Sequence, residues 1–104
     1  MIVEERDYTL KPGKVASFVS NYEQFGLPVQ LEHLGRFHGY FTSEIGELNH
    51  VVAWWSFESL DDRQARRNRM AADPRWPDYL SKVTEMLDLQ TNRILTPVSF
   101  SPLR

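Results

Sequence analysis

The stretch Gly39 to Phe57, GYFTSEIGELNHVVAWWSF, decides the fold. Its first arm mixes aromatic and polar residues (Tyr40, Phe41, Thr42), and its second is the nearly unbroken apolar run Val51-Val52-Ala53-Trp54-Trp55-Ser56-Phe57. Both arms have strand composition, and Gly46 between them supplies the positive φ that a tight connection favours, so the stretch reads as a β-hairpin. Strand side chains alternate between faces, which puts Val52 and Trp54 on one side and Val51, Ala53, Trp55 and Phe57 on the other. Both sides are apolar, and both are expected to be covered.

Upstream of the hairpin, Ile2 to Leu10 reads as a strand with Ile2, Glu4, Arg6, Tyr8 and Leu10 on one face. An edge strand carries such charge without cost, whereas a central one needs partners for it. From Lys14 the residues Val15, Phe18, Val19, Tyr22 and Phe25 follow the spacing of one helical face. Gly26-Leu27-Pro28 is expected to end that helix, with a left-handed cap at the glycine. Pro28 then starts a short second piece with Leu31 and Leu34 inward, closed by Gly35.

Downstream, Ser59-Leu60-Asp61-Asp62 has the form of a capping box opening a helix. That helix carries Arg63, Arg66, Arg67 and Arg69. The spacings Asp62 with Arg66 and Arg69 with Asp73 favour a solvated, ion-paired face over nucleic-acid recognition. Asp73-Pro74 restarts the chain, and Trp76, Tyr79, Leu80, Val83, Met86 and Leu87 form the apolar stripe of a further helix. Leu89 to Phe100 reads as the last strand, with Pro97 sending its end to an edge or bulge.

The 104 residues fit a single domain spanning 1–104, and twelve basic against fourteen acidic residues give a formal charge of −2. No overall field exists to hold nucleic acid or an acidic membrane. The chain contains no cysteine, which removes disulfides, thiolate nucleophiles and thiolate zinc sites. The opening MIVEERDY is acidic and strand-like where a signal peptide is basic and then apolar, and no run of about 18 apolar residues exists to span a bilayer. A soluble cytoplasmic protein is the resulting expectation.

The order strand, helix, strand, strand, helix, strand is the βαββαβ pattern of a ferredoxin-like α+β domain. Its antiparallel four-stranded sheet has the first and third strands central and both helices on one face. One sheet face is then bare in a lone subunit, so a homodimer packed sheet on sheet is expected. The stretches ERDYTLKPGK, GYFTSEIGELNHVVAWWSF, SLDDRQARR, DPRW and QTNRILTPVSFSP resemble the NIPSNAP family of the dimeric α+β barrel superfamily across nearly the whole chain. That resemblance implies a barrel formed by two sheets across a dimer axis, and no settled biochemical activity. Relatives in the wider superfamily include cofactor-independent monooxygenases, haem enzymes and small-molecule isomerases. Two positions depart from the family: Ala53 stands where members generally carry His, and Glu5 where they carry an aliphatic residue.

A ligand site is expected between the sheet and its coverings, where Glu4, Arg6 and Tyr8 meet Asn49 and Trp55, joined by Gln90 or Asn92. Arginine grips a carboxylate in two places, tyrosine donates a hydrogen bond, and tryptophan offers a flat wall to an organic ring. The alternative is that Glu4 and Arg6 pair only to fix register. His33, His38 and His50 lack the HxxxH spacing of a helical metal site, and neither a GxSxG elbow nor a Gly-rich phosphate loop is present. No metal or other cofactor is expected; the superfamily resemblance leaves haem ligation by one of these histidines open, with nothing in the local sequence that marks an axial ligand. Two readings follow: a homodimeric binding or interaction module whose barrel is filled by its own side chains, or a small-molecule enzyme with a cavity near Arg6, Tyr8 and Trp55.

Overall fold

The hairpin forms with the faces that its alternation predicts. β2 (Arg36–Thr42) and β3 (His50–Phe57) pair antiparallel, and Gly46 in their connection has φ +127°. β3 pairs on its other side with β1 (Ile2–Leu10), and β1 with β4 (Leu87–Leu95), giving the order β2-β3-β1-β4. The computed structural model describes all of residues 1–104. The charged first strand is therefore central, and its even-numbered side chains lie on the face that the helices cover.

The first helical segment runs further than its glycine predicts. α1 (Val15–Asn21) passes through a π-helical turn, Tyr22–Gly26, directly into α2 (Leu27–His33). Gly26 is right-handed, φ −92° and ψ −51°, rather than a left-handed cap. Its value lies in close approach: a Cβ there would stand 2.8 Å from Cζ of Tyr79. The wide turn changes the phase of the helix. Phe25, expected inward, is instead exposed beneath the Lys82 ammonium, 4.8 Å from its ring centroid. Leu31 is likewise exposed, and Val29 and Gln30 face the core in its place with Leu34.

The second helical segment is also two pieces. α3 (Leu60–Ala72) opens on the expected capping box: Ser59 Oγ accepts the Asp62 N–H at 3.0 Å, and Asp62 Oδ2 accepts the Glu58 N–H at 3.1 Å. Asp62 also holds Arg66 at 2.9 Å. The Arg69–Asp73 pair does not form, because Asp73 is engaged by His33 at 2.9 Å and by Arg75 at 2.7 Å. α4 (Arg75–Val83) begins where Asp73 Oδ1 accepts the Arg75 N–H. It ends four residues before the predicted stripe does, as a 3-10 turn at Thr84–Met86 leads into β4. Met86 and Leu87 still pack on the core, which is why they continue the helical spacing. β4 stops at Leu95, and the tail beyond it folds back so that Pro97, Ser101 and Leu103 share a groove with Val3, Glu5 and Trp54.

Between sheet and helices lie two apolar clusters. One joins Leu10, Phe18, Tyr22, Val51, Tyr79 and Val83; the other joins Val29, Leu34, Ala53, Trp55, Phe57 and Met70. The opposite face carries Phe41, Trp54, Leu89 and Leu95, all exposed. A bulge at His38 falls between the pairs Phe37 with Trp55 and Gly39 with Trp54, and His38 Nε2 lies 2.6 Å from Ser56 Oγ.

Candidate functional site

Glu4 is the most deeply buried ionisable side chain, 1% exposed. The β1 register sets it opposite Trp55 on β3 and Ile94 on β4, facing the helices. Arg63 reaches it from the first turn of α3 with both arms of its guanidinium, Nε to Oε1 at 3.0 Å and Nη2 to Oε2 at 2.8 Å. Arg6 Nη1 and Asn92 Nδ2 each donate to Oε2 at 2.9 Å. Burial alone would raise the Glu4 pKa, but hydrogen bonds from Arg63 and Asn92 and the charges of Arg6 and Arg63 outweigh it and hold the carboxyl at about 2. Such a carboxylate is a fixed anion, fully engaged near neutrality.

Arg6 spends its Nε on the Tyr8 hydroxyl at 2.7 Å, so one guanidinium joins the carboxylate to the phenol. Burial opposes its charge, while Tyr8 and Glu4 more than offset that and raise its pKa. Arg67, one helical turn beyond Arg63, is half-buried and within electrostatic reach of Arg6, Glu4, Arg63 and Tyr8. Its pKa is lowered, first by burial and then by Arg6.

Behind Arg6 and Tyr8 the helices and sheet enclose a cavity of about 50 Å³. All four tyrosines of the chain line it, with Phe18, Trp55 and Trp76. Tyr22 stacks on Tyr40 with ring centroids 4.5 Å apart and donates its hydroxyl to Gln30 Oε1 at 2.5 Å. Burial raises the pKa of Tyr22, Tyr40 and Tyr79, so these phenols stay protonated at neutral pH. The Tyr40 hydroxyl is the one buried side-chain polar atom with no hydrogen-bond partner. This volume admits a few water molecules and falls well short of the roughly 300–1,000 Å³ of a drug-sized site.

Of the residues expected at the site, Glu4, Arg6, Tyr8 and Asn92 are brought together, Gln90 lines the cavity, and Trp55 forms a wall of it. Asn49 is not there. It precedes β3 with φ +56°, a left-handed conformation that asparagine tolerates, and its carbonyl accepts the Leu10 N–H at 2.7 Å. The site gains Arg63 and Arg67, which the solvated-face reading of α3 had sent outward. Their i,i+4 spacing on one helical face was the available signal. Glu32, His33 and Asp73 also lie close together, but the Arg75 guanidinium bridges Glu32 and Asp73 and serves as their cation.

No helix is long and apolar enough to cross a membrane. A human protein, NipSnap homolog 3B, is 37% identical over 99 residues, covering 93% of this chain and 39% of that protein. The chain thus spans about two-fifths of the length of that relative. Among solved structures, a protein from Agrobacterium tumefaciens is 44% identical with a TM-score of 0.97, each chain covered in full. A NIPSNAP-like domain protein from Burkholderia xenovorans is 43% identical with a TM-score of 0.93, covering 97% of this chain and 88% of that one. An antibiotic biosynthesis monooxygenase shares the fold alone, at 13% identity and a TM-score of 0.71, with 94% of this chain and 99% of that one covered. The NIPSNAP family model matches residues 3–102, and with these relatives it shows that the chain belongs to the NIPSNAP family, on a ferredoxin-like α+β fold.

Proposed function

We propose that the chain acts as a homodimeric binding module, two copies pairing through the helix-free faces of their sheets, over which the C-terminal tail folds at one end. The observation that carries this is the exposed aromatic pair on that face: Phe41 and Trp54, 45% and 39% exposed, packed edge to face at 4.9 Å. Around them Glu5 pairs with Arg93 at 2.9 Å and Asp7 with His50 at 2.8 Å, so both signs of charge are present for a two-fold contact. Strands of about 30 Å, four abreast at ~4.8 Å, give a face of roughly 550 Å². Phe100 and Val98 on the tail add apolar surface. The sum approaches the ~800 Å² per partner of a stable interface. At about 25 cal/mol per Å², burying some 400 Å² of apolar surface contributes on the order of 10 kcal/mol before association costs. Sedimentation equilibrium at micromolar concentration tests this. Twice the 12.2 kDa chain mass is expected for the wild type, and the single-chain mass for Trp54→Glu. A wild type that sediments as a single chain overturns the pairing.

The unpartnered Tyr40 hydroxyl favours a second reading, in which the aromatic cavity takes part in holding a small molecule. Native mass spectrometry of the purified protein checks it. A retained small molecule supports this reading, and a bare chain mass counts against it.

A further inference from the structure

We propose that the arginine cluster beside this cavity is an oxyanion site, in which Arg6 from the cavity lining and Arg63 and Arg67 from α3 take the carboxylate or phosphate head group of a small organic molecule. The proposal rests on the small-molecule reading and names its ligand chemistry. It is independent of the sheet-face dimer, which uses the opposite side of the sheet.

Arg6 and Arg63 bond the Glu4 carboxylate, and Arg67 follows one turn after Arg63 on the same helical face, so three guanidinium groups accompany one carboxylate in a chain whose formal net charge is −2. The hydrogen bonds of Arg63 to Glu4 and of Arg6 to Glu4 and Tyr8 leave Arg63 Nη1 and Arg6 Nη2 unused, and Arg67 forms neither an ion pair nor a hydrogen bond. Its neighbour on α3 behaves otherwise: Arg66 donates to Asp62 at 2.9 Å and to the Leu34 carbonyl at 3.2 Å. A half-buried guanidinium with no protein acceptor and like charges nearby has its nitrogens open to solvent, where an incoming anion can reach them. An oxyanion supplies both the missing acceptors and the missing charge, and planar forks of this kind match carboxylate and phosphate oxygens. The helix-facing side of β4 beside the cluster, Asn92 and Ile94, is exposed and leaves room for the organic part of the ligand.

The test titrates the full chain with inorganic phosphate and with malonate at constant ionic strength, following the melting temperature. Wild type, Arg67→Gln and Arg69→Gln are compared, Arg69 being an exposed control on the same helix. The wild type is expected to show a saturable rise of about 6 °C at tenfold excess over Kd. Arg67→Gln is expected to weaken binding at least tenfold, Arg69→Gln less than twofold. Without anion, Arg67→Gln is expected to melt no lower than wild type, since it gives up no internal bond. A stronger response to phosphate than to malonate, or the reverse, identifies the head group. The proposal is overturned by a wild type with no saturable response, by equal binding in Arg67→Gln, or by an Arg67→Gln that melts lower without anion. Sedimentation of the same samples reads the dimer separately, so a failed dimer and a failed anion site give different results.

Discussion

Replacing Glu4 by Gln keeps the shape of the side chain and removes the one negative charge from among Arg6, Arg63 and Arg67. The magnitude follows from the displaced titration. A carboxyl held at about 2 instead of 4.5 stabilises the folded state, at ~1.4 kcal/mol per pKa unit, by roughly 3 kcal/mol. That matches the about 3–5 kcal/mol measured when one partner of a buried ion pair is removed. For 104 residues at ~2.1 cal/mol/K each, the unfolding entropy is about 0.22 kcal/mol/K, so Glu4→Gln should melt about 14 °C lower at pH 7. Because the folded pKa is depressed, the Glu4 contribution is complete above the unfolded value of 4.5 and disappears as pH falls through about 2. The gap between wild type and variant should therefore close between pH 5 and pH 2. Calorimetry at one fixed protein concentration measures both quantities, since self-association also shifts melting. A drop below about 4 °C at pH 7, or a gap unchanged down to pH 3, would refute the charge argument.

Two further substitutions probe packing and the cavity. In Gly35→Ala the new Cβ would stand 2.0 Å from the Ser56 carbonyl oxygen, a backbone atom that cannot step aside, so a cost of at least ~2–3 kcal/mol is expected in denaturant unfolding. An unchanged midpoint would show that β2 and β3 can separate there. Tyr40→Phe removes a hydroxyl with no partner and should leave the melting temperature unchanged or raised, whereas Tyr22→Phe strips Gln30 of its donor and should cost about 1–3 kcal/mol. Thermal melts giving the opposite order would mean that Tyr40 has a partner in solution.

The sheet was legible because β3 carries its instruction in a period of two: Trp54 and Trp55 cannot share a face, and the register confirms which belongs to the core. The central position of β1 followed from the βαββαβ order, but its partners did not, since Glu4 and Arg6 alone do not say where their counter-charges come from. Those partners, Arg63 and Asn92, lie 59 and 88 residues away. Arg63 and Arg66 look alike in sequence, yet one reaches a buried carboxylate and the other a surface aspartate. Local spacing reports helical phase, not what stands opposite. The loss of Asn49 from the site is similar: its residue type suited a pocket, but its place at a left-handed turn suited the backbone better.

The π-helical passage at Tyr22–Gly26 acts as a spacer between two helical segments that grip different parts of the sheet. A π turn holds one residue more than the α turn it replaces, so the surplus residue is taken up by widening and the helix on either side keeps its seat. Deleting one residue within 22–26 would let the segment close into a regular α-helix with α1 and α2 still in phase, whereas deleting one inside α1 or α2 would swing the side chains beyond it by about 100° off the sheet. The wide turn is accordingly the place along this rod where the chain can lose a letter without re-gearing it.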